Sequence, residues 1–86
     1  MASVQEVVTA AYRIADAAKG VKDRMSASTG DMRNHHSRLV AVAQGSRSGE
    51  AAAQQVQGSI QALQDSIQRL QELESQVKTF VNDLTK

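Results

Sequence analysis

From Val4 onward the apolar side chains recur at alternating intervals of three and four. The string runs Val4, Val7, Ala11, Ile14, Ala18, Val21 and Met25, then continues through Ser28, Met32, His35, Leu39 and Val42. That alternation is the heptad pattern of a helix with one buried stripe. It keeps its phase across Ser26-Ala27-Ser28-Thr29-Gly30, where local propensity alone would end a helix. Phase retention predicts one helix over 3–43; the alternative is two helices, with Gly30 as a stop and Asp31 as a new N-cap. A second string, Val56, Ile60, Leu63, Ile67, Leu70, Leu73, Val77, Val81 and Leu84, predicts a second helix over 50–84. Between them the polar, glycine-bracketed segment 44–49 reads as a turn. Two amphipathic segments around such a turn predict an all-α fold, a single domain over 1–86 built as an antiparallel two-helix hairpin. One helix covers only part of another's stripe, so the hairpin is expected to complete its core as a four-helix bundle dimer. The interface expected for the partner is Val56, Ile60, Leu63, Ile67, Leu70 and Val77.

Composition narrows the picture without changing it. Proline is absent from the 86 residues, as is cysteine, and a single Tyr and a single Phe leave a core of aliphatic residues, Met and Ala. Disulfides and thiolate metal sites are therefore excluded. The outer face of the second segment is rich in glutamine, a helix former that carries no charge. Residues 1–49 hold seven basic against four acidic side chains, and residues 50–86 hold three against five, a mild complementarity that favours hairpin closure. No basic run is interleaved with stacking aromatics, so nucleic acid is not an expected partner. No stretch approaches the roughly 20 apolar residues of a membrane span, and stable membrane insertion is not expected. The first residues lack a basic region followed by an apolar core. The expected location is the cytoplasm, with any export by a route that reads no cleavable signal.

Candidate chemistry is sparse. His35 and His36 diverge by about 100° on a helix, too far to converge on one metal ion. His35 is expected in or beside the seam and His36 in solvent. Gly45-x-x-x-Gly49 lacks the lysine of a phosphate loop, and a two-helix hairpin has no deep pocket. Neither an enzyme nor a cofactor is expected.

The turn resembles the WXG family of small helical hairpins exported by type VII secretion systems. That family carries Gln-Gly-x-Trp-x-Gly-x-Ala-Ala in the bend, matched here by Gln44, Gly45, Gly49, Ala51 and Ala52, with Arg47 at the tryptophan position. A second family feature is a signal late in the second helix, a hydrophobic residue, an acid four residues on, then spaced hydrophobic positions. Leu70, Glu74, Val77 and Val81 satisfy that spacing, while Phe80 and Asp83 supply an aromatic and an acid one residue too close. The missing tryptophan is similar to the small accessory proteins that pair with the helical N-terminal domains of LXG-type toxins. The resemblance implies a non-enzymatic exported substrate, or a targeting factor or chaperone. Its partner would be a second copy, another hairpin protein or an LXG-type toxin domain. The alternative from the heptads alone is a coiled-coil assembly or signalling module of the chemoreceptor or secretion-needle kind.

Overall fold

The computed structural model describes residues 2–86. It contains α1, Val4–Ala43, and α2, Arg47–Leu84, folded back on each other as an all-helical hairpin 62 Å long, 20 Å wide and 14 Å thick. Each helix starts where a serine can satisfy a free backbone N–H. The Ser3 hydroxyl accepts from the Glu6 N–H at 3.1 Å, and the Ser46 hydroxyl accepts from the Gly49 N–H at 3.2 Å. Because Ser46 is the cap, α2 begins three residues before the expected start at 50 and the turn is correspondingly shorter.

α1 is unbroken through Ser26–Gly30, so the two-helix alternative is not adopted. Thr29 is 5% exposed at its centre, and its hydroxyl donates to the Met25 carbonyl at 2.8 Å. That back-bond lets a polar side chain face α2 without an unmet hydrogen bond. Met25 and Met32, half-buried on either side, hold the weak segment against its neighbour.

The stripe of α1 that meets α2 differs from the expected one in every second position. Ala11, Ala18, Met25, Met32 and Leu39 are covered as expected. Their companions are Ala15, Lys22, Thr29, His36 and Ala43, in place of the exposed Ile14, Ser28, His35 and Val42, while Val21 is half-buried beside Lys22. Ile14 is 53% exposed and Val42 82%, and His36 is half-buried where His35 is exposed, the reverse of the expectation. Two helices approach most closely through small residues, and Ala11, Ala18, Ala43 and Ala53 are all among the most buried. Of the three consecutive alanines opening α2, only Ala53 enters the seam; Ala51 and Ala52 are exposed.

On α2 the seam follows Ala53, Val56, Ile60, Leu63, Ile67, Leu70, Glu74, Val77 and Val81, with Ile60 at 2% and Val81 at 4% exposure. The six residues expected to meet a partner chain, Val56, Ile60, Leu63, Ile67, Leu70 and Val77, therefore lie on the line where α2 packs on α1 of its own chain. Glu74 takes the position expected for Leu73. Its carboxylate receives the Lys22 ammonium at 2.8 Å across the seam, with less than a fifth of either side chain exposed. Desolvation offsets much of the attraction in such a pair, but one charged layer in an apolar seam pins the register of the two helices. Among the described residues no large side chain is completely buried.

Candidate interaction surfaces

The turn is built by two backbone features. Gly45 sits at φ +82°, a conformation that costs a glycine little, and the Ser46 N–H donates to the Ala43 carbonyl at 3.0 Å. Gly49 answers a different need: a Cβ placed there would stand 2.5 Å from the Ala43 Cβ. The motif residues thus divide into those that shape the bend, Gly45 and Gly49, and those that point outward, Gln44, Arg47, Ala51 and Ala52.

The late segment of α2 divides in the same way. Leu70, Glu74, Val77 and Val81 face α1, so four of the six candidate signal residues are engaged within the hairpin. Phe80 is 48% exposed and Asp83 is exposed, its carboxylate 3.5 Å from the Lys86 ammonium. Leu73, 37% exposed and one heptad before Phe80, joins them on the surface. The pair Phe80 and Leu73 is thus more accessible than the spaced signal itself.

The seam divides the hairpin surface into two faces. One carries two shallow grooves between the helices. Near the turn, His36, Val40, Ala43, Ala53, Gln54 and Gln57 line a groove of about 450 Å³. Farther along, Tyr12, Asp16, Lys19, Lys22, Glu74 and Lys78 line a second of similar volume. The positions flanking the seam here are Tyr12, Lys19, Ser26, Arg33 and Val40 on α1 and Gln57, Gln64, Gln71 and Lys78 on α2, mostly polar but with Tyr12 and Val40 exposed among them. Lys19 donates to Asp23 at 3.0 Å, and that hydrogen bond, with the carboxylate's charge, raises the Lys19 pKa above its ordinary value.

The other face has a different composition. In an antiparallel pair the positions just before the seam residues of both helices fall on one side. On α1 that row recurs every seven residues as Val7, Ile14, Val21, Ser28, His35 and Val42. On α2 it runs Ala52, Ser59, Ser66, Leu73 and Phe80. No position in either row carries a carboxylate, lysine or arginine. Sequence reasoning absorbed much of this row into the seam. The signal that separates them is the spacing of seven, which assigns Ile14 and Phe80 to a flank once Lys22 and Glu74 are recognised as partners.

Among the described residues no helix is long and apolar enough to cross a membrane, and no group of three His, Cys, Asp or Glu side chains could hold a metal ion. No family model, no curated protein and no solved structure matches this chain.

Proposed function

We propose that this hairpin is a non-enzymatic component of a type VII secretion system, similar to the WXG family but lacking its tryptophan. It works as an exported substrate, or as a targeting factor or chaperone for a helical partner such as the N-terminal domain of an LXG-type toxin. The observation that carries the reading is the unpartnered apolar face on a hairpin with a Gln44-Gly45…Gly49 bend. Ile14, Leu73 and Phe80 are between 37% and 53% exposed on a chain whose buried apolar core is mostly alanine. Apolar area is stabilised by about 25 cal/mol per Å² on leaving water, so such a face favours a protein partner. The chain is present in the cytoplasm before export in this reading. A coiled-coil assembly module is the competing reading, but a continuous rod has no use for Gly45 at positive φ or for the close approach at Gly49.

The test is a secretion assay on the tagged full chain in its own host, with and without the membrane ATPase of the secretion system. Appearance of the chain or of a co-purifying helical partner in the medium only when the ATPase is intact supports the reading. Retention of both in the cell under either condition overturns it.

A further inference from the structure

Met25 and Met32 stand one heptad apart on the seam of α1, both half-buried, on either side of the stretch Ser26–Gly30 where helix formers are scarce. Thr29 lies between them, and its hydroxyl is already committed to the Met25 carbonyl at 2.8 Å. The Lys22–Glu74 contact fixes how the helices lie against each other. Because they run antiparallel from that contact, Met25 stands at the level of Ile67 and Leu70, and Met32 at the level of Ile60 and Leu63. Those four seam positions of α2 are all aliphatic, so none of them donates a hydrogen bond. Apart from Ile60 and Val81, the buried apolar residues of the described chain are alanine. The two thioethers therefore supply much of the bulk that fills the middle of the hairpin, a place where a flexible side chain fits an irregular gap. The chain has no cysteine and no tryptophan, so its three methionines are the side chains that a peroxide oxidises most readily.

We propose that Met25 and Met32 form a paired oxidation site, at which hydrogen peroxide converts both thioethers to sulfoxides and thereby loosens the hairpin at its middle. The proposal is independent of the secretion reading, since it concerns the seam and not export. In the reaction a sulfur lone pair attacks one peroxide oxygen, the O–O bond breaks and an S–O bond forms. The sulfur loses two electrons, and the peroxide's other oxygen leaves as water with both protons. Half-burial matters twice. It leaves each methionine within reach of a small oxidant, and it brings the new polar oxygen into a seam with no donor to receive it, which is unfavourable. The two sites also act on the same stretch of α1. A segment with poor helix propensity opens locally before its neighbours do, so the loss of packing on both sides of Ser26–Gly30 concentrates there. The two ends of the seam differ in this respect. The turn end is closed by Ala43 against Gly49, and the open end by Ala11, Ala18 and Val81, none of which peroxide attacks.

The test treats the purified full chain with hydrogen peroxide in molar excess, at one protein concentration. Peptide mass mapping reads Met1, Met25 and Met32 separately, and circular dichroism follows the melt. Addition of one oxygen to both Met25 and Met32 should lower the thermal midpoint by about 10 °C. Amide exchange should quicken roughly tenfold over Ser26–Gly30 and Leu63–Leu70, and hardly at all beside Ala43 and Gly49. Methionine sulfoxide reductases of both epimer specificities should restore the original midpoint. The Met25→Leu, Met32→Leu double variant keeps the bulk without the sulfur, and peroxide should leave its midpoint unchanged. Three results overturn the proposal. In the first, both sulfoxides form and the midpoint stays where it was, because the oxidised side chains turn out to water. In the second, the double variant loses as much on treatment as the natural chain, which assigns the effect elsewhere. In the third, Met1 is oxidised while Met25 and Met32 stay intact, which means that the seam shields them. The comparison of the natural chain before and after peroxide needs no substitution, so it decides the matter even where the double variant melts differently at the outset.

Discussion

Gly49 has no room for a side chain, and Gly58 has nothing within 4 Å of where a Cβ would stand. The two glycines lie on the same helix and should respond to alanine in opposite senses. Gly49→Ala sets a methyl against the Ala43 Cβ and backbone and should cost about 1–3 kcal/mol, the usual range for overpacking. Gly58→Ala should stabilise by up to about 1 kcal/mol through helix propensity alone. Urea midpoints at one protein concentration measure both; a stabilising Gly49→Ala would mean that the close approach at the bend is not rigid. Charged residues divide by the same logic of place. The Lys19–Asp23 pair is exposed; the raised lysine pKa implies stabilisation present below the ordinary lysine range and lost as pH climbs past the raised value, but solvent screens it. Lys22 and Glu74 are mostly shielded, so Glu74→Ala, which strands the ammonium, should cost about 1–3 kcal/mol. Replacing both, Lys22→Met with Glu74→Leu, should recover most of the loss. A double variant no more stable than Glu74→Ala would show that Glu74 acts through something other than Lys22. Phe80 and Asp83 alone are therefore the residues to change when testing an export signal, since including Glu74 would confound recognition with folding.

At the scale of the element, the existence and extent of both helices were legible because a three-four alternation held over nearly their whole length. What was not legible is which rows of α1 touch α2. Counting hydrophobicity favours Ile14 and Val42 over Ala15 and Ala43, whereas a close helix pair selects for small side chains and puts bulk on the flank. Nothing local places Lys22 in the seam, because its partner lies 52 residues away, beyond any heptad pattern. Ser46 was missed as the cap because it sits inside the polar, glycine-bracketed segment 44–49 that reads as a turn. The candidate signal failed to stay together for a related reason: its spacing is the seam's own, so most of it is consumed in holding the hairpin. The weak stretch was correctly placed within one helix, yet its local propensity remains poor. Backbone amides of Ser26–Gly30 should exchange with deuterium faster than those of Ala15–Lys22, because helix formers are scarce there. Gly30→Ala, at an exposed position with no neighbour within 4 Å, should slow that exchange and add about 0.5–1 kcal/mol. Uniform protection across α1 before the substitution would show that packing on α2 overrides propensity completely.

For the molecule as a whole, the governing fact is the thinness of the core. Among the described residues six apolar side chains are buried, four of them alanine, with Ile60 and Val81 the only larger ones. Two long helices lose conformational entropy on the order of 1–2 kcal/mol per residue when they form, and a single alanine-rich seam offers little apolar area to offset it. Folding and association should consequently be linked, with the hairpin's thermal midpoint depending on its own concentration. Each tenfold dilution of a dimer that unfolds as it separates lowers its standing against two free chains by about 1.4 kcal/mol. For a chain of this size that corresponds to several degrees in the midpoint, since about 1 kcal/mol moves it by 4–8 °C. Circular dichroism melts over a hundredfold range of concentration should then show a steady rise in midpoint. Phe80→Asp should lower the midpoint at every concentration and flatten the rise, because Phe80 belongs to the apolar face proposed above to favour a protein partner. A wild-type transition that is cooperative, independent of concentration and accompanied by a mass of 9.2 kDa would establish that the hairpin stands alone, with Ile14, Leu73 and Phe80 left in water.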